Sequence, residues 1–107
     1  MIYTEEIKLT GKLSLLEKVQ NMLLIAKSGS ADESTVNQIA DLTTEHSDHT
    51  RLGKFFGHSV SDYAFAVLKW LNNPYSAEVF NRLFSGLADE RKTFINELIS
   101  QEGYKTI

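Results

Sequence analysis

VSDYAFAVLKWL, residues 60–71, is the stretch that decides the fold class. Val60, Tyr63, Ala64, Val67, Leu68 and Leu71 recur at helical spacing and form a wide apolar stripe. Phe65 and Trp70 broaden it. Ser59 or Ser61 serves as a candidate N-cap, because a hydroxyl oxygen can accept from the free backbone N–H groups of a first turn. The spacing predicts a helix to about Leu71.

Downstream, Asn72-Asn73-Pro74 breaks that helix and starts another. Asn73 is a good N-cap, and Pro74 suits the first helical position, where its missing N–H costs nothing. The new helix is expected to run to about Ser85, with Val79, Phe80, Leu83 and Phe84 inward and Gly86 at its end. A last helix follows over about Ala88 to Gln101, with Phe94, Ile95, Leu98 and Ile99 inward. Gly103 stops it, and residues 103–107 form a tail.

Upstream, two capping boxes mark two more helices. In Ser14-Leu-Leu-Glu17 the hydroxyl and the carboxylate can each satisfy a free backbone N–H. That helix reaches about Lys27, carries Leu15, Leu16, Val19, Met22, Leu23 and Ala26 on one stripe, and stops at Gly29. Ser30-Ala-Asp-Glu33 is the second box and opens a helix to about Glu45. Its stripe of Val36, Ile39, Ala40 and Leu42–Thr43 is thin, which leaves a broad polar face for water. A short helical element is expected from about His49 to Phe56, presenting Leu52, Phe55 and Phe56 and ending at Gly57. Residues 1–11 read as a short helix or an irregular arm.

No segment shows the alternation of a sheet, and links of two to five residues force neighbouring helices side by side. The expected fold is all-α: one compact domain, residues 1–107, of five or six helices. Eleven aromatic side chains supply its core anchors. The chain contains no cysteine, which removes disulfides, thiolate metal sites and a cysteine nucleophile. No signal peptide is expected at MIYTEEIKLTGK, and the apolar cluster Met22–Ala26 falls far short of the roughly 20 residues of a membrane span. A cytoplasmic location with no membrane contact is the expectation.

Charge is distributed unevenly. From Ser28 to Thr50 the chain carries Asp32, Glu33, Asp41, Glu45 and Asp48 and no Lys or Arg. Residues 51–107 hold seven basic and six acidic side chains, close to balance. With a net charge of −3, the chain lacks the basic footprint that phosphate backbones require, so direct nucleic-acid binding is not expected. A one-sided acidic segment instead fits a basic protein partner.

The three histidines, His46, His49 and His58, are the candidate chemical site. His46 and His49 stand at i, i+3, and Glu45 or Asp48 would add an oxygen ligand. A metal-assisted hydrolase built on these residues lacks the H-E-x-x-H spacing of zinc protease helices. Arg51-Leu-Gly-Lys-Phe-Phe-Gly57 lacks the order of a phosphate loop and reads as a short helix. Tyr63, Phe65 and Trp70 read as core, with an aromatic recognition surface as the alternative.

The segment SADESTVNQIADLTTEHSD, Ser30–Asp48, resembles the acidic docking face of bacterial immunity proteins, the partners of contact-dependent growth inhibition toxins and nuclease bacteriocins. The resemblance is one of profile. It implies a cognate basic toxin, often a nuclease, whose active site is occluded; it also implies no enzymatic activity and a cytoplasmic location. No cofactor is expected. The partner-binding residues on this reading are Asp32, Glu33, Asp41, Thr44, Glu45, His46, Asp48 and His49. The rival reading is a small regulatory adaptor or phage-encoded inhibitor with an apolar patch that includes Phe65 and Trp70. The oligomeric state is left open.

Overall fold

The computed structural model describes residues 15–29, 31–44, 54–55, 58–71 and 73–102. Five helices span them: α1 Leu15–Ser28, α2 Glu33–Leu42, α3 Val60–Trp70, α4 Pro74–Phe84 and α5 Asp89–Gln101. A minimal antiparallel ladder, β1 Lys54–Phe55 with β2 His58–Ser59, precedes α3. The architecture is all-α, as the periodicity predicts.

The order of packing follows from α3. Every residue from Val60 to Leu68 is buried, so α3 is covered on all sides rather than along one stripe. Helices α1, α2, α4 and α5 all pack against it. Their narrower stripes supply the shell: Val19, Met22, Ile25 and Ala26 from α1, and Val36, Ile39 and Leu42 from α2. Val79 and Phe80 come from α4, and Ile95 and Leu98 from α5. Phe65 stands edge-on to Phe80 and Phe84, whose rings stack on each other with centroids 4.8 Å apart. Such aromatic contacts add to the area they bury.

Local chemistry sets the helix ends. Gly29 adopts φ +73, the left-handed conformation that a residue with a Cβ resists, and its N–H closes α1 onto Ile25 and Ala26. Asn73 caps α4: its Oδ1 accepts from the N–H groups of Tyr75 and Ser76, with Pro74 behind it. Its Nδ2 donates to the carbonyl of Ala31 at 3.3 Å, tying the start of α4 to the start of α2.

Four expectations are corrected. The cap of α2 is Asp32, not Ser30. The carboxylate accepts from Thr35 N–H at 2.8 Å, and Asp is as good a cap as Ser, so the helix starts two residues later. Helix α2 ends at Leu42 rather than near Glu45. Thr43 and Thr44 turn their hydroxyls back onto the carbonyls of Ala40 and Asp41, tightening the last turn. Lys54–Phe55 is extended rather than helical, because it pairs with His58–Ser59. Phe94 is 39% exposed instead of inward; the face of α5 against α3 is narrow and is filled by Ile95 and Leu98. The expected arm at residues 1–11, the Ser14 cap, the Gly103 stop and the tail lie outside the described residues.

Candidate functional site

The acidic segment begins on α2, and the helix sorts its side chains. Val36, Ile39 and Leu42 are buried against the core. Glu33, Asn37, Asp41 and Thr44 are exposed, at steps of four, four and three residues, so they form one row along the outer face. Asp32 and Ser34 flank the row at its N-terminal end and are also exposed.

Among the described residues, the row has no compensating charge. Among the described residues, no Lys or Arg forms an ion pair with Asp32, Glu33 or Asp41. The three carboxylates are not equivalent. Asp32 is engaged as the cap, and the Thr35 backbone N–H, helped by the Thr35 hydroxyl, holds its carboxyl below the usual range. Glu33 lies in the first turn, where a negative charge complements the helix dipole. Asp41 lies in the last turn, where the dipole disfavours it, and no basic residue shares that turn. Thr44 donates its hydroxyl proton to the carbonyl of Asp41 at 2.9 Å, which leaves its oxygen to act as an acceptor.

Tyr75 of α4 joins this surface through its hydroxyl. Its hydroxyl donates to Asn37 Oδ1 at 2.8 Å, in the middle of the row between Glu33 and Asp41. Its ring lies on the same stripe of α4 as Val79 and Leu83 and packs partly against the core, but only the approach of α4 to α2 brings its hydroxyl to Asn37.

A second polar cluster was also hidden. Asp62 and Ser61 are buried within the apolar α3. Arg91 of α5 reaches Asp62 Oδ1 with Nε at 3.0 Å and Nη2 at 2.9 Å, and its Nη2 donates to Ser61 Oγ at 2.7 Å. Ser61 in turn donates to the carbonyl of Thr43, the C-cap of α2, at 2.5 Å. The cluster therefore links α5, α3 and the end of α2. Beside it, burial and the neighbouring Asp62 carboxylate push the Tyr63 hydroxyl above its usual range, which keeps it protonated. The cluster joins three helices through paired donors and acceptors and reads as a structural tie.

The remaining candidates divide. Glu45, His46, Asp48 and His49 lie outside the described residues, as does Arg51. His58 belongs to β2, and its side chain is likewise outside the description. Among the described residues, no group of three or more His, Cys, Asp or Glu side chains is placed to hold a metal. Phe65 is buried, and Trp70 is half-buried with its indole N–H bonded to α5, so the two belong to the core and do not form an apolar recognition patch. A shallow cleft beside α1 is lined by Gln20, Asn21, Leu23 and Leu24, which include no acid, base or nucleophile. Among the described residues, no helix is long and apolar enough to cross a membrane. Compared with protein-family models, curated protein sequences and solved structures, the chain matches none.

Proposed function

We propose that the chain is a binding protein of the immunity or antitoxin type, which neutralises a basic protein toxin by covering its active site with the outer face of α2. A nuclease domain is the favoured toxin class, because a surface that handles phosphate is cationic and meets carboxylates well. On this reading the chain performs no chemistry and needs no cofactor. Glu33 and Asp41 steer the encounter and form rim ion pairs, Thr44 accepts a hydrogen bond, and Glu45, His46, Asp48 and His49 extend the contact beyond the helix.

The observation that carries the reading is the placement of Asp41. Its carboxylate is exposed, lacks an ion pair among the described residues, and stands at the helix end where a negative charge lowers stability. A charge that works against its own helix is expected where binding, not folding, has set the residue.

The experiment uses the whole chain as bait in an extract of the organism that encodes it, followed by kinetics with the captured partner. The expected partner is a basic protein whose activity the chain abolishes. Replacing Asp41 and Glu45 by Lys slows association at low salt and flattens its salt dependence. An unchanged on-rate at low salt would show that the partner docks elsewhere.

A further inference from the structure

We propose that Arg91 is a positioning residue that acts through Ser61 to hold the last turn of α2 closed, so that the end of α2 is a separately opening unit latched from α5. The inference is independent of the function proposed above.

The geometry has a direction. A serine hydroxyl has one proton and two lone pairs. Arg91 Nη2 donates to Ser61 Oγ at 2.7 Å, so the serine accepts there. Its single proton is then turned toward the carbonyl of Thr43. That carbonyl sits at the C-cap of α2, among the groups a helix leaves without an intrahelical partner. The guanidinium also polarises the hydroxyl it donates to, which makes the serine a better donor to Thr43. Asp62 holds the guanidinium in place from its buried position on the same helix as Ser61.

Apart from the two threonine hydroxyls, the turn that is held is closed by short-range backbone bonds. Thr43 N–H reaches Ala40 at 3.1 Å and Thr44 N–H reaches Asp41 at 3.3 Å, the short-range bonds of a fraying helix end. Thr44 is exposed. Segments with such bonds open locally while the core stays folded. The latch opposes that opening at the point where the chain leaves α2 toward Glu45, His46, Asp48 and His49.

Amide hydrogen exchange on the full chain tests the relay, with Val79 and Phe80 of α4 as the internal reference. Ser61→Ala is expected to speed exchange at Leu42 and Thr43 by roughly tenfold relative to that reference, and Arg91→Met to do the same. In the Ser61→Ala background, Arg91→Met adds nothing further at Leu42 and Thr43, because both changes break one relay. If Arg91→Met destabilises the whole molecule, the same comparison is made with Asp62→Asn/Arg91→Met, which also removes the buried charge that Arg91 offset. The proposal is overturned if Ser61→Ala or Arg91→Met speeds exchange at Leu42 and Thr43 no more than at the reference, or if the two effects add in full.

Discussion

Trp70 donates its indole N–H to the carbonyl of Ile99 at 2.9 Å, which fastens the last residue of α3 to the last turn of α5. The same carbonyl also accepts from Glu102 N–H at 3.2 Å, where α5 ends in a left-handed residue. Trp70 thus does two jobs: its ring packs against the core, and its nitrogen closes a helix end. Trp70→Phe keeps most of the ring and removes the donor. It is expected to cost about 1 kcal/mol, the net worth of one hydrogen bond, while Trp70→Ala costs about 3 kcal/mol or more. Urea unfolding followed by far-UV circular dichroism reads both, since neither variant retains tryptophan fluorescence.

The Asp62–Arg91 pair is expected to be asymmetric. Arg91→Met removes the guanidinium from beside a buried carboxylate and should cost about 3 kcal/mol, at the low end for buried pairs because the Arg91 side chain is 39% exposed. Asp62→Asn/Arg91→Met should recover a substantial part of that loss, although it carries two substitutions. Denaturant midpoints of the single and double variants at one pH give the coupling directly, and full additivity would mean that the pair is energetically idle.

Asp32 makes the start of α2 sensitive to acid. Its carboxyl is held below the usual range by the Thr35 N–H, so its folded value lies under its unfolded value. The stabilisation is therefore complete above the ordinary carboxylate range and is lost as pH falls through the folded value. Asp32→Asn keeps an acceptor for Thr35 but cannot titrate. The melting temperature of the native chain is expected to exceed that of Asp32→Asn at neutral pH, and the gap to close as pH is lowered through the carboxylate range. A gap that stays constant from neutral to acid pH would show that the negative charge contributes nothing at the cap.

What could be read from the sequence tracks what is local. Helix α4 was legible to the residue at its start, because Asn73 and Pro74 are chemically specific signals at fixed positions. Helix α1 was legible at its end through Gly29. The start of α2 was misread because two good caps, Ser30 and Asp32, stand two residues apart, and nothing local ranks them. The total burial of α3 was only half legible. Its apolar width was visible, but Asp62 and Ser61 look like a polar face until Arg91, far along the chain, arrives to satisfy them. The exposed carboxylates of α2 followed from the helical period. Tyr75 did not, because its place beside Asn37 is set by how two helices meet and not by any pattern within one of them.

Asp41 separates folding from binding. It occupies the last turn of α2, where the exposed carbonyls carry partial negative charge, and that turn contains no basic residue. Asp41→Lys exchanges a disfavoured charge for a favoured one on an exposed site, so it should stabilise the chain by about 0.5 kcal/mol, a gain that salt diminishes. Glu33→Lys is the control at the opposite end of the helix: it exchanges a favoured charge for a disfavoured one and should destabilise by a similar amount. If the outer face of α2 meets a cationic partner, both substitutions slow association although they move stability in opposite directions. Thermal unfolding and association kinetics of the two variants therefore need to be measured together. Parallel changes in stability and on-rate would mean that binding merely follows the integrity of the helix, whereas opposite changes at Asp41 identify the carboxylate as one that the partner reads.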